Sequence, residues 1–141
     1  MKFLFTLIFL FEIIVCEPFD GLTLITSMTG GDNSSETYLI DNEENIINYW
    51  SHQSSSASIG YLTKDSILYL PTKSGGGGDT GPAGGLFQKI DWDGNIIWEW
   101  EMPTEICNPH HDITILPNGN ILAICEEYKS NQDLLDAGIE G

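Results

Sequence analysis

The chain has 141 residues and carries 21 acidic side chains against five lysines and no arginine, a formal charge of −16. Nucleic acid and anionic membrane surfaces both need cationic contacts, so this balance argues against either as a partner. A site for an anionic substrate must draw its positive charge from histidine, a few lysines, backbone N–H groups or protein outside this chain.

In chain order, Met1-Lys2 is followed by "FLFTLIFLFEIIVC", an apolar run of about a dozen residues behind one basic residue. That layout reads residues 1–16 as a secretory signal peptide, too short for a membrane span, with cleavage near Cys16-Glu17. A lipid-anchored Cys16 is a weaker alternative, because Val15 fits poorly before such a cysteine. The mature chain is therefore expected to be exported, secreted or periplasmic. It keeps Cys107 and Cys125, for which a disulfide and two free thiols both stay open. Asn33-Ser34-Ser35 fits the N-glycosylation acceptor pattern, which matters only in a eukaryotic secretory pathway.

After residue 16 no helical period is sustained. Short runs rich in Ile, Leu, Tyr and Trp alternate with Asn, Asp and Gly, which predicts many short strands. The runs are "LTLIT", "TYLID", "NIINYW", "IGYLT", "SILYLP", "LFQKID", "NIIWEW", "DITILP" and "NILAIC"; only the tail "NQDLLDAGIEG" suits a short helix. The runs repeat. "YLIDNEENIINYW" (38–50) aligns with "QKIDWDGNIIWEW" (88–100) at a period of 50, matching Asp41 to Asp91, Asn45 to Asn95 and Trp50 to Trp100. "YLTKDSILYL" (61–70) aligns with "ILPNGNILAI" (115–124) at a period of 54.

A repeat of about 50 residues built from four strands is the size of a β-propeller blade, so the expected class is all-β, a propeller of four-stranded blades. Naming the strands A to D outward from the channel, residues 57–101 form one nearly complete blade. The B, C and D strands of a preceding blade lie before it, and the A and B strands of the next lie after it. "DWDGN" and "LPNGN" are tight turns whose Gly94 and Gly119 take positive φ. A closed propeller usually needs four to eight blades, since each buries its faces only against neighbours. Residues 17–141, as about two and a half blades, are thus expected to be the N-terminal part of a longer protein.

"NPHHD" (108–112) opens strand A of the third unit, at the end of a D-to-A connection. The Gly-rich "SGGGGDTGPAGG" (74–85) is a B-to-C loop and should lie on the same face, the channel mouth where propellers commonly keep their sites. By the period of 54, His110, His111 and Asp112 correspond to Ser56, Ala57 and Ser58, so the histidines are not a requirement of the scaffold. Three readings compete: a metal site, a strand cap in which one ring bonds a carbonyl or Asp112, and an anion or proton-transfer site. Strand alternation lets only one ring face the channel, and no second ligand set appears at metal spacing, which weakens the first. The third, with imidazole as cation, general acid or nucleophile, is favoured. His52, in another D-to-A connection, reads as a solvated loop residue.

"GGLFQKIDWDGNIIWEWEMP", "HHDITILPNGNILAICEEYKS" and "DLLDAGIEG" together resemble the bacterial-type arylsulfotransferase family, over roughly residues 38–138. The resemblance implies an exported six-bladed propeller. It also implies PAPS-independent transfer of a sulfuryl group from an aryl sulfate ester to a phenol, through a transient sulfohistidine and with no cofactor or metal. Only His110 and His111 match a family motif that reaches the pocket. One of them, His111 by preference, would position or protonate the sulfuryl or phenol oxygen. The family's sulfo-accepting histidine and arginine would lie beyond Gly141. A non-catalytic secreted propeller that binds a ligand or protein on its loop face is the alternative.

Overall fold

The computed structural model describes residues 18–27, 34–73, 84–103, 107–127 and 129–139. The signal-peptide reading of residues 1–16, the Asn33 acceptor and positions 74–83 of the Gly-rich loop lie outside the described residues.

Among the described residues, nine antiparallel strands and one short helix follow one another. They are β1 (Thr23–Thr26), β2 (Ser35–Ile40), β3 (Ile46–His52), β4 (Tyr61–Leu62), β5 (Leu68–Lys73), β6 (Gly85–Ile90), β7 (Ile96–Glu101), β8 (Asn108–Ile115), β9 (Ile121–Glu126) and α1 (Asn131–Asp136). Every pairing joins sequence neighbours, giving a three-stranded sheet β1–β3, a four-stranded sheet β4–β7 and a two-stranded sheet β8–β9. The chain is all-β apart from α1, which forms where the tail was expected to. Its N-cap Ser130 accepts from the Asp133 amide while the Asp133 carboxylate takes the Ser130 N–H, a capping box.

The hairpin turns explain why these short strands fold where they do. Asp41 Oδ1 accepts from the backbone N–H groups of Glu43 and Asn45, at 3.0 and 2.8 Å. Asp91 does the same with Asp93 and Asn95, at 3.0 and 2.8 Å. The Asn side chain completes each turn and holds the Asp carboxyl below its ordinary pKa. The Asp-x-x-x-Asn spacing is therefore turn chemistry. Glu44 (φ 65°) occupies the left-handed position that Gly94 (φ 90°) fills one repeat later.

The second repeat needs a correction. Turn hydrogen bonds match Thr63 with Leu116, Ser66 with Gly119 and Ile67 with Asn120, each pair 53 residues apart. The register agrees: Leu62 pairs with Leu68 as Ile115 pairs with Ile121. A period of 54 would turn the third hairpin over. At 53, Leu68 and Leu70 correspond to Ile121 and Ala123, and both pairs are the residues that pack against the preceding sheet. The sequence alignment slipped by one because a strand's two faces are both rich in Ile and Leu here, while the turn fixes the register.

Each sheet buries its face against the next. Leu39 and Trp50 of the first sheet pack on Leu68, Leu70 and Ile90 of the second. Trp50 is 1 % exposed, donates its indole N–H to the Asp91 carbonyl at 2.9 Å, and meets Trp92 edge-on at 5.6 Å between centroids. On the far side of the second sheet, Tyr69 and Phe87 pack with Ile113, but Trp100, the repeat counterpart of Trp50, is 44 % exposed. Equivalent tryptophans thus differ in what covers them. Trp50→Ala is expected to cost about 3–5 kcal/mol, and Trp100→Ala less than half of that, by urea denaturation; equal losses would contradict the joint described here. Ser66 (φ 62°) stands where Gly119 (φ 82°) stands. Ser66→Gly should therefore stabilise by about 0.5–1 kcal/mol, since a left-handed L-residue is strained.

Candidate functional site

The residues singled out in "NPHHD" sit on an irregularity of the sheet. Pro109 pairs with Cys125 and Ile113 with Ala123, so His110, His111 and Asp112 together oppose the single residue Ile124. An interruption of the ladder occurs at the corresponding place one repeat earlier, with residues 57–60 set against residues 70–71. Ser56 bridges Thr72 and Tyr61 pairs with Tyr69, at positions 53 residues before Pro109, Cys125 and the third hairpin's strands. The histidines and aspartate therefore replace Ala57, Ser58 and Ile59, not Ser56, Ala57 and Ser58. The bulge is scaffold, and what it carries in the third sheet is not.

The bulge also overturns the expectation that strand alternation separates the two rings. His111 has φ 62°, a left-handed conformation that none of the bulge residues of the second sheet adopts. Non-glycine residues take it rarely, at a cost of about 1–2 kcal/mol, and such strain gathers at functional sites. Its effect is to fold the His111 ring back onto His110, with centroids 3.8 Å apart and planes at 60°. The two Nδ1 atoms are in hydrogen-bond contact. Both rings therefore belong to one site.

A hydrogen bond between the two Nδ1 atoms requires one ring to donate and the other to accept. His110 Nε2 lies 3.9 Å from a Glu126 carboxylate oxygen. His111 is solvent-exposed, which makes it the ring better placed to meet a substrate.

Asp112 serves neither ring. Both its carboxylate oxygens accept from the Tyr61 hydroxyl of the second sheet, at 2.8 and 3.0 Å. Oδ1 also takes the Ile113 amide at 2.8 Å. Burial, followed by this bond, raises the Tyr61 pKa and keeps the phenol protonated. The carboxylate thus ties the bulge to the neighbouring sheet. Tyr61, Glu126 and Asn108 were not legible as site residues, because only folding brings them to the bulge.

At the end of the Gly-rich stretch the Gly84 N–H donates to the Pro109 carbonyl at 3.0 Å, touching the strand that carries the histidines. Cys107 and Cys125 are free, half-buried thiols. Cys125 faces Pro109, and Cys107 is diagonal to it on the same face. Burial and the contact with Cys107 push the Cys125 thiol up to about 11. Among the described residues no three His, Cys, Asp or Glu side chains come together as a metal site would need. No described helix is long and apolar enough to cross a membrane.

His52 is corrected from a solvated loop residue to a buried one. It ends β3 at 5 % exposure, with Nε2 2.8 Å from the Thr37 hydroxyl. That hydroxyl meets Thr26 Oγ1 at 3.2 Å, which accepts the Gly60 N–H at 3.0 Å, so the chain of bonds ends in the second sheet. A groove of about 610 Å³ lies apart from the bulge, lined by Phe87, Lys89, Trp98, Trp100, Met102 and Ile121 among others.

A family model described as Arylsulfotransferase (ASST) matches residues 17–139. The chain belongs to the arylsulfotransferase family. No curated protein matches it. The match spans all three sheets and the histidine bulge, and the family points to small-molecule substrates.

Burial lowers the His52 pKa from 6.5 to about 4. Between those values the unfolded chain binds a proton that the folded chain does not, so stability falls as pH falls through this window, by on the order of 2 kcal/mol. Urea midpoints measured from pH 7 to pH 4 should decline more steeply for the wild type than for His52→Gln; parallel curves would show that His52 stays accessible to protons.

Proposed function

We propose that this chain's sheets are blades of a β-propeller, exported behind the segment 1–16, and that His110 and His111 serve an aryl-sulfate sulfotransferase reaction at the channel mouth. The reaction moves a sulfuryl group from an aryl sulfate ester to a phenolic acceptor without PAPS. The observation that carries this reading is the bulge. The ladder of the preceding sheet is interrupted at the corresponding place, but among the described residues only here does the interruption hold two imidazoles, folded together by a left-handed His111.

The exposed Trp100 supports the propeller, because its counterpart Trp50 is covered by the turn of the following sheet. A further blade presenting a similar turn would cover Trp100 in the same way.

In the first half-reaction an imidazole nitrogen attacks sulfur, the S–O bond to the aryl group breaks, and the phenolate leaves with the bonding pair. A second imidazole protonates that oxygen. In the second half the acceptor phenol's oxygen attacks that sulfur, the N–S bond breaks with its electron pair returning to the imidazole, and the phenol's proton goes to the same base. His111 is the proton carrier: its protonated ring gives the proton to the leaving phenolate and its neutral ring then takes one from the acceptor, while the contact with His110 holds it in place. Since the chain has no arginine, neutral donors and imidazole share the binding of the sulfuryl oxygens with groups outside this chain. The family's sulfo-accepting histidine lies among those groups.

The assay is 4-nitrophenyl sulfate with a phenol acceptor, using the protein with its natural flanking sequence. Acceptor-dependent release of nitrophenol is expected, and His111→Ala should lower it about a hundredfold. A wild type with no acceptor-dependent release would favour a non-catalytic propeller that binds on its loop face. Full activity in His111→Ala would remove that ring from the chemistry.

A further inference from the structure

Among the described residues, one buried side-chain polar atom has no hydrogen-bond partner: Nδ2 of Asn108. Asn108 is 8 % exposed and opens β8 two residues before His110. A buried amide hydrogen left unbonded costs about 1–3 kcal/mol, and groups of this kind call for an explanation in each case.

Its position supplies one. Asn108 pairs with Glu126, so the two side chains stand on one face of the β8–β9 ladder. His110, two residues on, belongs to the same face and reaches the same Glu126 carboxylate at 3.9 Å. Cys107, Pro109 and Cys125 occupy the opposite face. His111 is turned onto His110 by its left-handed backbone. The orphaned donor and both imidazoles therefore share one face of one strand pair.

We propose that Asn108 is a binding residue whose side-chain N–H donates to an oxygen of the bound sulfuryl group. The assignment rests on the reading of the bulge as a sulfuryl site and names a donor for it. The chemistry suits this chain. An amide N–H is a neutral donor that needs no counter-charge, and in a chain of charge −16 without arginine such a donor holds an anion's oxygen. Its fixed position on a strand keeps the hydrogen in place before the ligand arrives, so little ordering cost remains on binding.

The test is Asn108→Leu, a substitution of similar shape that removes the amide. Inorganic sulfate and 4-nitrophenyl sulfate are titrated separately into the full protein by calorimetry, and Tm is measured in parallel. If the amide faces a ligand and has no partner in the fold, its loss should leave Tm unchanged or raise it. The Kd for both probes should rise about tenfold or more, as expected for a hydrogen bond to a charged group. A lower Tm would mean that the amide is bonded within the fold, and would overturn the proposal. An unchanged Kd, or a wild type that binds neither probe, would overturn it too. If the wild type binds both probes and Asn108→Leu weakens them, but nitrophenol release shows no acceptor dependence, the Asn108 assignment stands and the transferase reading falls. If transfer proceeds with an unchanged Kd in Asn108→Leu, the reverse holds.

Discussion

Every sheet in this chain has two apolar faces, and a sheet of two to four strands can bury them only against another sheet. The joint between the first two sheets shows how this is met. Trp50 is sealed by the turn that follows β6, and its indole N–H is bonded to the Asp91 carbonyl. That contact fixes the spacing of the sheets, and the Asp-x-x-x-Asn turn is rigid because it must present a carbonyl to the tryptophan of the sheet before it. The chain's strongest sequence repeat is therefore the record of one interface. Trp50 of the first repeat and the Asp91 turn of the second are its two halves.

The site grows out of the same scaffold. The ladder is interrupted just before the hairpin in both the second and third sheets, by four residues against two in the second and three against one in the third. In the second sheet this space holds Ala57, Ser58 and Ile59, with Ala57 buried. In the third it holds two imidazoles and a carboxylate. Reusing a bulge in this way changes the chemistry without changing the pairing of the strands on either side. The carboxylate is spent on the neighbouring sheet's Tyr61, which leaves Glu126 as the acid beside the rings.

Much of this was legible in the sequence. Strands, hairpin turns, the period of 50 and the tail helix followed from alternation, Asn-Gly chemistry and a polar helix start. The non-recurrence of "HHD" also survived correction of its alignment partners. The period of 54 did not survive, because Ile and Leu on both faces of "NILAI" make neighbouring registers look alike. His52 was misjudged because its neighbours "SHQSSS" are polar. Its burial comes from Thr37 and the second sheet, both distant in sequence.

The sequence by itself determined the strand class, the turns and the presence of two histidines that the scaffold does not require, since these depend on local propensity and on comparison of the chain with itself. Only the tertiary structure decided that the two rings meet, that Asp112 belongs to Tyr61, that Glu126 stands beside His110, and that Asn108 has no partner. Each of these depends on a left-handed residue, a cross-strand register or a contact between sheets, and none of the three is encoded in the spacing of neighbouring residues.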